Sequence, residues 1–272
     1  MGGLTILYSV EEVCSRLRIL LEEAVKNNLA EGILLSGGLD TSILAVVASR
    51  FTSLKAFTVA FQNAPAPDVE YAVLMANRLG LKHVVHIFGE EELYDAIPAV
   101  VKTTKSFDPM EIRNSVAIYI GLKVAKENEI STVMTGDGCD ELFAGYSFLF
   151  RYEKEKLDFE LKKLWSVMAF SSVPLAKVLG IEVKLPYLDS AFKDFAMKLD
   201  SKYKIRKENG RIYGKWILRK AFESILPREI LWRVKIPIEY GSGTTILQTS
   251  LTRRFPIKSL RRREESTSLR ME

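Results

Sequence analysis

The sequence predicts an α/β fold: a doubly wound parallel sheet with helices on both faces, followed by a helical C-terminal half. Three observations carry this expectation. Strand-length apolar runs alternate with helical periodicity through residues 30–150. The strand runs are continuously apolar, as in a sheet buried on both faces. From about residue 151 the pattern becomes helical segments with short breaks. With 272 residues, 47% hydrophobic and 27% charged, the chain can bury one large core or two small ones.

Residues 9–29 read as an amphipathic helix. Ser9 and Glu12 have capping-box spacing, and Val10, Val13, Leu17, Leu20, Leu21 and Ala24 form the apolar stripe. Residues 32–36 are a short buried strand and 41–51 an apolar helix. LKAFTVAF (54–61) is a second strand, DVEYAVLMANRLG (68–80) a helix closed by Gly80, and HVVHIF (83–88) a third strand. Helices follow over about 90–103 and 113–129. STVMTG (131–136) is a fourth strand, and DELFAGY opens another helix. Beyond it, SSVP, KLPYLD, KENGR and EYGSG separate helical segments that pack on the sheet and lend loops to a shared cleft.

Composition excludes several classes. No run reaches the roughly 18 apolar residues of a membrane span, and the opening residues lack a secretory signal's pattern. Cys14 and Cys139 read as reduced thiols of a cytoplasmic protein. His83 and His86, three apart on a strand, face opposite ways and form no zinc site. Of the net charge of +5, +4 falls in residues 252–272, where seven Arg or Lys meet three Glu. No aromatic residue follows Phe255 to stack on bases, so this end reads as solvated and flexible rather than as a nucleic-acid contact.

ILLSGGLDTSILAVV (33–47) places two glycines and a carboxylate between segments that want burial. A loop leaving a parallel strand and entering a helix N-terminus suits a phosphate. N–H groups are unpaired there, the helix dipole is positive, and glycines admit close approach. Ser36, Thr41 and Ser42 add hydroxyls. No lysine follows Gly37 and Gly38 as in a Walker loop, and the spacing is not GxGxxG. Asp40 beside a phosphate is repulsive unless a cation sits between, which points to Mg²⁺. Alone, the stretch equally fits a turn with Asp40 capping the next helix. TGDGCDELFAGY (135–146) adds a second strand-to-helix junction carrying Asp137, Asp140 and Glu141. Adjacent parallel strands would bring Asp40 and Asp140 to one rim.

These stretches resemble a known family. LLSGGLDTS is similar to the pyrophosphate loop of ATP pyrophosphatases, usually SGGxDS, and TGDGCDELFAGY to the GEGSDELFGGY segment of asparagine synthetases. DPMEIRNS (108–115), GIEVKLPYLD (180–189), GKWILRKAF (214–222) and LPREILWRVKIP (226–237) match further segments in order. The resemblance implies a synthetase-like domain over 1–250. Its nucleotide-binding core spans 30–150, its helical substrate side 151–250, and a basic tail covers 251–272. It also implies ATP and Mg²⁺ as cofactors and a ligase that adenylates a carboxylate, releases pyrophosphate, and lets ammonia displace AMP.

By the resemblance, Ser36, Gly37, Gly38, Asp40, Thr41 and Ser42 hold pyrophosphate, and Asp40 and Asp140 hold the metal. Leu35, Val59 and Gly136 meet the nucleotide. Lys235 neutralises charge in the transition state, and Asp137 accepts a proton from ammonia. Arg113, Glu141 and Asp189 fall on the substrate side. Arg113, a cation opening a helix, calls for an anionic partner, either a substrate carboxylate or Asp108. Asp189 fits a simple cap as well. Cys139, where the family has Ser, reads as a packing residue.

Departures fall on the acceptor half. Asp137 replaces Glu, Lys184 replaces Arg before PYLD, Val173-Pro174 replace polar residues, and Ile238 replaces Phe. Gly2 follows Met1 where the family's glutaminase nucleophile would stand. The expected partners are therefore ATP, an amino acid and ammonia, with a separate glutaminase subunit and a homo-oligomer left open. Aspartate is the favoured acceptor. The alternatives are an amide- or lactam-forming synthetase acting on another carboxylate, a nucleic-acid-modifying relative, and a non-catalytic nucleotide binder.

Overall fold

The structure, a computed structural model, describes residues 9–208 and 210–246. The basic segment 251–272 lies outside them. The expected α/β architecture is present: five parallel strands in the order β3-β2-β1-β4-β5.

Helix α1 (Val10–Asn27) opens the chain. Its capping box is closed, with the Glu12 amide donating to Ser9 Oγ (3.1 Å) and the Ser9 amide to Glu12 Oε2 (2.7 Å). Then come β1 (Gly32–Leu34), α2 (Leu39–Ala48), β2 (Lys55–Phe61), α3 (Asp68–Leu79), β3 (Lys82–Phe88), α4 (Glu90–Thr104), α5 (Pro109–Glu127) and β4 (Thr132–Met134). Gly80 ends α3 in the left-handed conformation.

Successive strand residues face opposite sides of the sheet, so each strand feeds two cores. Ile33, Ala56 and Met134 pack with α1, α2 and α3, whereas Phe57, Phe88 and Val133 pack with α4 and α5. A fully buried Leu or Ile in either layer contributes about 1.5–3 kcal/mol. β3 departs from the buried-strand expectation. At the edge of the sheet it leaves Val85 and Ile87, two residues apart on one face, exposed.

The helix expected at DELFAGY is a single turn, α6 (Cys139–Leu142), ended by Ala144 at φ 53°. The second half is less purely helical than its pattern suggests. After α7 (Lys154–Ser166) and α8 (Ser172–Leu179), β5 (Glu182–Lys184) joins the sheet beside β4. Three residues ahead of a proline are too few to show a period. After α9 (Ser190–Lys198), β6 (Arg206–Glu208) and β7 (Arg211–Tyr213) form an antiparallel hairpin across the segment read as a break. Short helices α10 (Trp216–Ala221), α11 (Arg228–Leu231) and α12 (Ile238–Gly241) close the described chain. Leu175 and Ala176 of α8 share the core of α4 and α5, while Phe192 of α9 and Ile217 of α10 share that of α1.

Cys14 and Cys139 are free and buried. Among the described residues no helix is long and apolar enough to cross a membrane. His83 and His86 part as expected, His83 toward Thr58 (2.8 Å) and His86 toward Glu92 (2.8 Å).

Candidate active site

In this strand order β1 lies between β2 and β4. The order in which successive strands are added to the sheet reverses there, and the crevice outside the carboxyl ends of β1 and β4 is where such sheets bind ligands. Both singled-out junctions open into it.

The first junction is knit by its own residues. The Leu35 amide donates to the Phe57 carbonyl (2.8 Å), and the Ser36 amide to Thr41 Oγ1 (3.3 Å). The Gly38 amide donates to Ser36 Oγ (3.3 Å). Gly37 sits at φ 62° against α3, where a Cβ would lie 2.3 Å from the Tyr71 backbone. α2 has no side-chain cap at Gly38, so its first-turn N–H groups face the crevice without a side-chain acceptor. Ser42 is placed differently from the expectation. It is fully buried, its hydroxyl unpartnered, beneath the loop rather than on its surface.

The carboxylates of Asp40 and Asp140 meet on one cation that sequence reasoning did not assign. Lys215 Nζ lies 2.5 Å from Asp40 Oδ2 and 2.7 Å from Asp140 Oδ1. Lys235 Nζ reaches the other oxygen of Asp140. Burial opposes ionisation of Asp140, but the two ammonium groups outweigh it and hold its carboxyl well below the usual range. Burial likewise opposes the charge of Lys215, and Asp140 with Asp40 holds its ammonium above the ordinary lysine value. Asp40 Oδ1 is buried with no hydrogen-bond partner. Such an oxygen beside a second carboxylate fits a hard divalent cation whose remaining ligands are phosphate oxygens and water. Among the described residues no group of three His, Cys, Asp or Glu could hold a metal unaided.

The two junctions touch at Gly136, where a Cβ would lie 3.2 Å from Asp40 Cβ. Beside it, Asp137 Oδ2 accepts from Ser172 Oγ (2.5 Å) and Thr135 Oγ1 (2.8 Å). Burial raises the Asp137 carboxyl above its ordinary value against these two donors, with Asp140 adding repulsion. Glu141 accepts from Tyr146 Oη (2.5 Å), and burial raises its carboxyl too. The Tyr146 ring also lies 5.8 Å from Lys235 Nζ. Cys139 is fully buried, and burial raises its thiol well above the usual value, which suits packing rather than chemistry.

Leu35 follows the last residue of β1, and Val59 lies within β2. The Leu35 carbonyl accepts from Thr58 Oγ1 (2.5 Å). Val59 lies two residues past Phe57, on the β1 side of β2 and beyond the last β1 pairing.

Two sequence-predicted residues are engaged elsewhere. Arg113 pairs with Glu239 of α12 (3.3 Å) rather than with Asp108, whose carboxylate caps α5. Asp189 caps α9 through the Ala191 amide (3.2 Å) and accepts from Asn27 (3.2 Å), facing α1. In this structure both side chains are engaged in contacts within the fold. Lys215, Ser172 and Tyr146 are the residues that sequence reasoning missed. GKWILRKAF was a visible match, yet nothing local marks Lys215 as reaching back 175 positions to Asp40.

The family model described as asparagine synthase matches residues 16–177 and 174–266. The chain belongs to the asparagine synthase family. That asparagine synthase match takes in every site residue from Leu35 to Lys235. Asparagine synthetase B [glutamine-hydrolyzing] of Escherichia coli is 31% identical over 86% of this chain and 46% of its own length. Asparagine synthetase [glutamine-hydrolyzing] of Gallus gallus is 31% identical over 86% of this chain and 44% of its own length. The chain thus spans under half the length of these relatives. Among solved structures, an NH3-dependent NAD synthetase from Campylobacter jejuni is similar at 16% identity and a TM-score of 0.36, over 69% of this chain and 97% of its own.

Proposed function

We propose that this chain is an ATP-dependent, AMP-forming ligase that makes an amide, with aspartate as acceptor and ammonia as nitrogen donor. The observation that carries the proposal is the convergence of Asp40 and Asp140, from separate strand-to-helix junctions, beside the uncapped start of α2. A polyphosphate suits that helix start.

In this reading an acceptor carboxylate oxygen attacks the α-phosphorus of ATP, and pyrophosphate leaves. Ammonia then forms the C–N bond, AMP departs with the former carboxylate oxygen, and one proton is given up. Backbone N–H groups of 37–41 bind the leaving pyrophosphate. Asp40 and Asp140 would hold Mg²⁺, which would supply positive charge against the polyphosphate. Lys235, on the loop between α11 and α12, sets a cation against oxygens that gain charge. Asp137, its carboxyl raised by burial, takes the proton from nitrogen. Val59 offers backbone donor and acceptor to the adenine edge.

The family membership and the names of the relatives support asparagine formation. Ammonia arrives free or from a separate glutaminase subunit. One observation favours a second reading, a different carboxylic acid as acceptor. Two cations on the acceptor side are already paired, Arg113 with Glu239 and Lys184 with Glu182 (2.7 Å).

The test is pyrophosphate release with ATP, Mg²⁺ and ammonium against a panel of amino acids. Aspartate-dependent release with AMP and asparagine as products is the expected result. Release with another acid moves the proposal to the second reading, and ATP binding without release overturns it.

A further inference from the structure

Two residues before Lys235, the Arg233 side chain turns inward and makes three contacts at once. Nη2 pairs with Asp68 at the start of α3 (2.7 Å). Nη1 donates to the Ser36 carbonyl in the phosphate loop (3.2 Å). The guanidinium carbon lies 4.0 Å from the centre of the Tyr71 ring. The side chains of Arg233 and Asp68 are 7% and 11% exposed, so this ion pair is shielded from water.

The far end of the loop converges on the same acid. Gly241 of α12 packs so closely that a Cβ would come 2.1 Å from Asp68 Oδ2. Arg219 fixes the backbone from below, donating to the carbonyls of Leu231 and Arg233 and, through Nε, to Gly214 (3.1 Å) beside Lys215. Lys235 itself is exposed and meets Asp140 through a flexible stem.

We infer that Arg233 and Asp68 form a latch that positions Lys235 over the phosphate loop, with Arg233 as the positioning residue. The inference rests on the role proposed for Lys235. Two residues span at most about 7 Å, so any shift of the Arg233 anchor passes almost undamped to the lysine. The anchor point is the loop that would hold the nucleotide, so phosphate cradle and lysine keep one register. Arginine is the residue suited to this task, because its planar fork serves Asp68 and Ser36 together while its face stacks on Tyr71. Lysine at 233 would keep the charge on Asp68 and lose the fork and the stack.

Arg233→Lys therefore separates charge from geometry. With ATP, Mg²⁺, ammonium and aspartate, its kcat is expected to fall up to about 10²-fold with little change in the KM for ATP. In a Lys235→Ala background the same change is expected to cost nothing further, because the group it positions is gone. An equal loss in both backgrounds, or a change confined to KM, would overturn the latch. A second arm needs no turnover: native trypsin cleavage after Lys235, followed by mass spectrometry. Arg233→Lys, which keeps a charge on Asp68, is expected to speed that cleavage by about tenfold at an unchanged melting temperature, since cleavage tracks the open population. An unchanged rate would overturn the latch as well. Absence of aspartate-dependent turnover in the wild type would count against the proposed function, and the trypsin arm would still decide the latch.

Discussion

The two junctions that build the site solve different problems in different ways. The first, 35–42, offers backbone donors held in place by its own Ser36 and Thr41 and by Gly37 seated on α3. The second, 137–146, offers carboxylates whose surroundings come from far along the chain: Lys215, Lys235 and Ser172. Binding a polyanion needs N–H groups, which any sequence supplies if the turn is right. Setting the charge of a carboxylate needs specific neighbours, which only the tertiary fold supplies.

The sharpest way to break this contrast is Asp137→Asn. Turnover should fall about 10²–10⁴-fold, the range for a lost general base, while ATP binding persists. Its carboxyl is raised by burial, so the wild-type rate should climb with pH through that raised value, and the variant should lack this limb. Stability follows the opposite sign. The favourable share of a raised carboxyl is complete below the unfolded value of about 3.9 and is lost as pH rises through the folded value. Chemical denaturation should therefore find Asp137→Asn more stable than wild type at neutral pH, with the advantage fading in acid.

Lys235→Ala comes next. Loss of one charge-stabilising donor should cost about 10²–10³-fold in kcat with ATP affinity retained. Unchanged turnover would remove Lys235 from the chemistry. Lys215→Met strikes the seam between the two junctions. It leaves two buried carboxylates facing each other without their shared cation, a loss of about 3–5 kcal/mol in a melting experiment. Saturating Mg²⁺ should recover part of that loss, because an ion bound only by the folded state stabilises it. The smallest effect belongs to Ser172→Ala. Removing a donor to Asp137 should raise that carboxyl further and move the acid limb of the rate profile to higher pH. A limb that stays in place would mean that Ser172 does not tune Asp137.

The same contrast explains what was legible in the sequence. The phosphate loop shows in the sequence because its glycines and hydroxyls lie within seven residues and its flanking runs are apolar. The parallel core shows for the same reason, since strand and helix periods are local. β5 does not, because three residues carry no period and Pro186 stands two positions beyond them. Lys215 does not, because its left-handed backbone (φ 55°) and its reach to Asp40 depend on how Gly214 packs on Ala144. Arg113 was legible in part. A cation near a helix start does need an anion, and Glu239, 126 positions away, supplies one that no local pattern marks. Asp189 shows the cap that its local pattern allowed, and its second oxygen accepts from Asn27, which the pattern did not show.

The central claim is that Asp40 and Asp140 together hold a divalent ion against a nucleotide's phosphates. Calorimetric titration of ATP with and without Mg²⁺, on the wild type and on Asp40→Asn, tests it most directly. The account predicts that Mg²⁺ tightens ATP binding to the wild type and that Asp40→Asn loses this gain. An equal Mg²⁺ effect on both proteins would contradict it.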